Sequence, residues 1–166
     1  MRGRARLTDE IARGAIAGAV ATWLMGRLTA YLYETEDPTA RRREDSARGG
    51  RTSYETAAEK AAHALGFRLS ERARRASGSG IHWALGIGTG ALYGLLRYRF
   101  HGVDWAHGLG FGAAFWLLMD ELIVPAVGLT SGPLAFPWQT HARGLAGHLA
   151  YGLAAEGALD VMDRVA

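Results

Sequence analysis

Residues 105–142 read WAHGLGFGAAFWLLMDELIVPAVGLTSGPLAFPWQTHA, and Asp120 and Glu121 are the only formally charged residues in the stretch. Adjacent carboxylates in so apolar a run cost several kcal/mol if they meet lipid, so they need a partner, a water-filled cleft or a membrane boundary. The rest of the chain repeats the pattern. Residues 14–26, 80–96 and 144–155 also carry no formal charge, while Lys, Arg, Asp and Glu gather in 1–13, 34–75 and 157–164. With flanking polar side chains that snorkel, each apolar block reaches the roughly 20 residues that cross a hydrocarbon core.

A mean hydropathy near zero hides this partition. A soluble Ala/Gly-rich bundle is the competing reading, but these blocks lack the polar face of a surface helix. Aromatic residues also stand near their ends: Tyr31, Tyr33, Trp83, Tyr98, Trp105 and Trp138. The sequence therefore predicts an all-α integral membrane four-helix bundle in one domain, 1–166. Its spans lie at about 11–33, 80–98, 105–124 and 138–161, and a polar, partly helical loop, 34–78, joins the first two. The basic start Met1–Arg6 resembles a signal peptide, but the apolar sequence runs on to Tyr33 and reads as an uncleaved first helix.

Within the loop, Arg41–Arg43 and Gly49-Gly50 mark the part expected to be least ordered. A helix over 53–65 is expected, with Ser53 as its cap and Gly66 as its stop. A short basic helix over 70–76 then leads to a hinge at Ser77-Gly78-Ser79-Gly80. A short turn at 101–104 makes the second and third spans an antiparallel hairpin, and Pro125 closes the third. Charge placement favours a cytoplasmic N-terminus and C-terminus, with Arg97 and Arg99 inside.

Glycines recur at helical spacing: Gly14/Gly18, Gly86/Gly90/Gly94 and Gly108/Gly112. Small faces of this kind let membrane helices approach closely, so these glycines read as packing positions. A phosphate loop is not supported, since Gly86–Gly90 falls inside an apolar helix. Without cysteine there is no disulfide, iron–sulfur site or thiolate zinc site. The net charge of +3 rests mainly on arginine, without the aromatic interleaving of nucleic-acid binders.

The polar residues at membrane depth are Arg27, His82, Asp120, Glu121, His141, Arg143, His148 and Glu156. Asp120 continues the row Gly108–Gly112–Trp116 and should face the bundle, whereas Glu121, about 100° round, is expected to reach the boundary. His82, Asp120, Glu121, His148 and Glu156 form the candidate buried polar cluster, with Arg27 and Arg143 as charge partners. Interhelical ion pairing is one reading. A proton-responsive cluster is a second, and a His/carboxylate metal site a third, although no ligand-spacing motif supports it. No catalytic triad signature appears, and neither enzyme activity, nor a cofactor, nor a bound metal is expected.

Several short motifs carry a family resemblance. They are Trp105-Ala106-His107-Gly108-Leu109, Pro125-Ala126-Val127-Gly128-Leu129-Thr130, Pro137-Trp138, and Gly147-His148-Leu149 with Glu156 after it. Upstream stand Gly80-Ile81-His82 and Leu92-Tyr93-Gly94. Over roughly 80–160 the chain resembles the YagU-like family of small bacterial inner-membrane proteins; over 1–78 only the layout is similar. Asp120 stands where that family's better-known member is expected to carry a histidine, which weakens any metal role there. The resemblance implies an inner-membrane protein linked to acid or envelope-stress tolerance. The alternatives are an accessory subunit of a larger membrane complex and an oligomeric channel or transporter. The lipid bilayer is the expected partner in every case.

Overall fold

A computed structural model describes residues 2–165, with side chains from Leu7 onward; the basic side chains of 1–6 lie outside the described residues. Helix α1 (Arg2–Thr35) is followed by α2 (Pro38–Arg48), α3 (Ser53–Ala64) and α4 (Glu71–Arg99). Helix α5 (Leu109–Trp116) continues through a π-helical turn (Leu117–Ile123) into α6 (Val124–Ala126). A 3-10 turn (Pro133–Ala135) precedes α7 (Trp138–Val165), and no strand occurs among the described residues.

Glycine and alanine decide how the long helices meet. Helix α1 packs along both α4 and α7, α5 lies on α7, and α3 covers part of α4. A Cβ on Gly18 would stand 2.7 Å from the Gly86 carbonyl oxygen, and one on Gly94 would stand 3.0 Å from the Gly14 Cα. The α1–α4 crossing is therefore backbone against backbone. At the α5–α7 crossing, a Cβ on Gly108 would meet the Gly152 carbonyl carbon at 2.8 Å, and one on Gly112 the His148 carbonyl carbon at 2.9 Å. The core left between these contacts is small: Ala17, Ala21, Tyr93, Tyr151, Ala155 and Leu159.

The surface inverts the usual partition. Ile16, Val20, Trp23, Leu24 and Tyr31 of α1 are exposed, as are Leu117, Leu118 and Leu122, while Thr22, Glu44, Arg143, His148 and Glu156 are buried. Two stretches, Leu7–Thr35 and Leu109–Ala126, are long and apolar enough to cross a membrane. Only 22% and 6% of their most apolar windows are buried, so neither is the enclosed core helix of a soluble domain.

Several local expectations change. The 34–78 segment is largely helical, and Arg41–Arg43 sit inside α2. Asp37 caps that helix by accepting from the Thr39 and Ala40 amides, and Pro38 opens it. These two backbone hydrogen bonds hold the Asp37 carboxyl below its usual range. The α3 cap is Thr52, not Ser53, because Thr52 and Glu55 complete a reciprocal capping box. No hinge interrupts 77–80: α4 runs unbroken from its Ser70 cap, and Gly78 is the point where Glu55 of α3 comes closest.

The third apolar helix starts at Leu109, not Trp105, after Ala106, His107 and Gly108 all take positive φ. Non-glycine residues in this region cost roughly 1–2 kcal/mol each, a cost set against the close seat of Gly108 on Gly152. Pro125 is tolerated near the start of α6, and the helix ends at Ala126. Helices α4 and α5 touch through Tyr93 and Phe111, whose ring centroids are 4.6 Å apart. Each has its main backbone partner elsewhere, so the expected hairpin is not a packed pair.

Candidate functional site

The π turn sets the site. Unwinding α5 over Leu117–Ile123 narrows the angle between successive side chains, so Asp120 and Glu121 both turn toward α7. Seven residues of α7 separate their partners. Glu121 Oε1 lies 2.6 Å from His141 Nδ1, and His141 Nε2 lies 3.1 Å from the Pro133 carbonyl. Glu121 therefore faces the bundle and does not reach outward.

Asp120 Oδ2 lies 3.7 Å from His148 Nδ1, too far for a hydrogen bond. That nitrogen is 2.9 Å from the Gly144 carbonyl oxygen, to which its proton belongs. Asp120 thus accepts no hydrogen bond among the described residues, yet 40% of its side chain is accessible. The accessible surface opens on two adjoining cavities of about 120 Å³ and about 250 Å³, with Tyr54, His82 and Asp120 in the walls of both. Phe115, Tyr151 and His148 wall the smaller cavity; Trp116, His141 and Arg48 wall the larger.

Helix α3 forms the roof. Tyr54 packs on His82 with ring centroids 5.0 Å apart. Burial, with a contribution from Asp120, pushes the Tyr54 phenol up to about 12, so it stays neutral at ordinary pH. The far end of α3 is tied down by Lys60, whose Nζ donates to the carbonyls of Val127 at 3.1 Å and Gly128 at 2.8 Å. Tyr151 donates its hydroxyl to the Gly86 carbonyl at 2.6 Å, leaving its ring to the cavity. Trp116 Nε1 is buried without an acceptor among the described residues.

The other candidate residues belong to separate networks. Arg143 does not neutralise Asp120 or Glu121; it is ion-paired with Glu36 and Glu44 and lies 5.0 Å from the Tyr33 ring centroid. Glu44 also accepts from Thr140 at 2.7 Å and pairs with Arg48 at 2.5 Å. Desolvation pushes the Glu44 carboxyl up, but the Arg143 and Thr140 hydrogen bonds outweigh it and the net shift is downward.

Glu156 lies apart from the cavity, accepting from Tyr93 at 2.5 Å and from Arg97 at 3.0 Å. Arg97 also binds Asp160 and Asp163, each at 2.8 Å, and Asp163 meets Arg13 at 2.6 Å. Hydrogen bonding to Arg97, against some desolvation, lowers the Asp163 carboxyl. Arg27, the other expected charge partner, is exposed and pairs with no acid among the described residues. The five-membered cluster is thus three sites: Asp120 with His148 and His82, Glu121 with His141, and Glu156 with Tyr93 and Arg97. No three His, Asp or Glu side chains among the described residues converge as metal ligands.

Sequence reasoning missed Glu36, Glu44, Arg97, Tyr54 and Lys60 as partners. The first two and the last two lie in the polar loop, and Arg97 read as a terminal topology signal. Neither a curated protein nor a solved structure matched the chain. A sequence profile described as "Protein of unknown function (DUF1440)" matches residues 55–157, from the first turn of α3 to one residue past Glu156. That match takes in His82, Asp120, Glu121, His141 and His148, and with most of the chain covered, the protein belongs to the DUF1440 family.

Proposed function

We propose that the protein is a multi-pass bacterial inner-membrane protein whose cavity site at Asp120, His148 and His82 takes up and releases protons, and that it acts in acid or envelope-stress tolerance without being an enzyme. The spans lie within α1 (about 11–33), α4 (about 80–98), the run from α5 through its π turn to α6, and α7 (about 138–161), with both termini cytoplasmic. The exposed apolar faces of α1 and the π turn support the lipid assignment. Within DUF1440, the motifs around Trp105, Pro125 and His148 support the reading of the chain as a YagU-like protein.

The observation that carries the proton assignment is Asp120: a carboxylate on a largely apolar cavity, without a hydrogen-bond donor among the described residues, 3.7 Å from an imidazole. A carboxylate on an apolar wall beside an imidazole is a setting in which burial and neighbouring charge couple protonation to pH. Thermal unfolding in detergent from about pH 5 to about pH 8 tests this. Asp120→Asn is expected to flatten the pH dependence, and a profile superimposable on wild type would overturn the assignment. Extraction of membranes with alkaline carbonate tests location: the chain should stay in the pellet.

One observation favours a second reading, an accessory subunit. Arg27 shares an exposed face of α1 with Val20, Trp23 and Tyr31 and has no acidic partner in the described chain. A neighbouring chain's carboxylate would satisfy it. Co-purification of an unrelated chain that is lost in Arg27→Gln supports that reading; a monodisperse single species counts against it.

A further inference from the structure

Resting on the proton assignment above, we propose that the cavity binds a small organic cation, a protonated or quaternary amine with a compact apolar body, which Asp120 accepts in exchange for a proton.

The chemistry of the walls selects this class. Asp120 presents an accessible carboxylate that no donor among the described residues satisfies, so an anion is excluded by charge and a neutral apolar guest would leave it unpaired. A metal ion would find one carboxylate and no third converging ligand. The cavity wall around the carboxylate is apolar, with aliphatic side chains such as Ile81, Leu85 and Met119 beside the imidazole of His82 and the rings of Tyr54, Phe115 and Tyr151. Their polar ends are spent or neutral. The Tyr151 hydroxyl is bonded to the Gly86 carbonyl, and the Tyr54 phenol does not ionise in the working range. Aromatic walls next to one negative charge suit a cation with an apolar envelope. Cavities of about 120 Å³ and about 250 Å³ fall below the ~300–1,000 Å³ of drug-sized pockets, so the guest is compact.

Every charged group facing Asp120 fits this assignment. Arg48 from α2 is engaged by Glu44, and so is Arg143 from α7. His141 from α7 is engaged by Glu121 on the same turn as Asp120. Tyr54 from α3 stays neutral. His82 from α4 and His148 from α7 remain, and both repel a guest cation once protonated. No resident cation therefore competes at Asp120 when the histidines are neutral. Exchange balances simply: the Asp120 O–H bond breaks, one proton leaves to bulk water, and one monovalent cation takes its place beside the carboxylate. Acidification opposes binding at Asp120, one proton against one cation.

The test uses the full chain in detergent and benzyltrimethylammonium as probe, with neopentylbenzene as its uncharged isostere. Calorimetry should give saturable binding that weakens by about tenfold per pH unit once Asp120 is protonated, with about one proton released per cation in weak buffer. Asp120→Asn, checked for folding by its melting curve, should bind at least tenfold more weakly. Tyr54→Leu, which keeps the charge and removes a ring, should weaken binding several-fold. Equal affinity for the isostere, unchanged affinity in either variant, or no saturable binding at millimolar probe would overturn the proposal. The two levels separate cleanly. If Asp120→Asn alters the pH profile of stability while wild type binds no cation, the ligand assignment falls and the proton site stands. If neither effect is seen, both fall.

Discussion

Replacing Gly90 by alanine isolates what holds α1 and α4 together. A Cβ at position 90 would sit 2.6 Å from the Gly18 amide nitrogen and as close or closer to the Gly14 carbonyl oxygen and Gly18 Cα, all of them backbone atoms that cannot rotate aside. Ordinary contact begins near 3.4 Å, so relieving the tightest of these contacts requires the helices to part by about 1 Å at that point. A gap of this size forfeits roughly a quarter to a half of the dispersion energy of each contact it opens. Overpacking of this kind costs about 1–3 kcal/mol. Against it stands the better helix propensity of alanine, about 1 kcal/mol. Gly88→Ala provides the control. It lies on the same helix with nothing within 4 Å of its added Cβ, so it carries the propensity gain alone. Thermal unfolding of both variants in one detergent should place Gly88→Ala at or above wild type. Gly90→Ala should fall below Gly88→Ala by about 1–3 kcal/mol, each kcal/mol moving the midpoint by roughly 2–4 °C. Coincident melting curves for the two variants would refute backbone contact as the basis of the α1–α4 crossing.

Two further predictions concern the polar end of the bundle. Arg143→Met leaves Glu44, 1% exposed, with only Arg48 and Thr140. Uncompensated burial costs about 3–5 kcal/mol, and the retained Arg48 keeps the loss near the lower bound. Limited proteolysis should then cut within 36–52 far faster than in wild type, and Arg143→Met/Glu44→Met should recover most of the protection; equal cleavage rates for wild type and Arg143→Met would exclude the clamp. The pH dependence of the same contact has a fixed sign. Because the folded Glu44 carboxyl lies below the ordinary glutamate value of 4.5, its contribution is complete above that pH and is lost as pH falls through the lowered folded value. Amide exchange in α2 should therefore gain a component as the solution is acidified below about pH 4.5. Glu44→Gln should lack that component, and its persistence would assign the transition to another group.

Much of the architecture follows from local pattern. Charge-free blocks, snorkelling flanks and the i+4 glycine rows are properties of neighbouring residues, and helix formation is itself a local event. For that reason α1, α4 and α7 and their small-residue faces were legible before any tertiary contact was known. Gly14, Gly18, Gly86 and Gly90 could be singled out without knowing that 14 would meet 90 or that 18 would meet 86. The boundaries were less so. A capping box moved one start to Thr52, and α4 runs on past Gly78, where Glu55 of α3 packs against it, although the composition suggested a hinge.

Only the tertiary structure decided which charge answers which. Arg143 finds Glu44 across a separation of 99 residues, and Arg97 finds Glu156 across 59. No periodicity encodes such pairs, because they depend on how α2 folds back and on which faces of α4 and α7 meet. The π turn is the sharpest case. Its extra-wide winding has no sequence signature, yet it swings Glu121 onto His141 and leaves Asp120 over the cavity. The sequence alone thus determined that two carboxylates sit in an apolar helix and must be compensated. The fold determined that one is compensated by a histidine and the other by a space, since compensation is a matter of distance in three dimensions rather than of position along the chain.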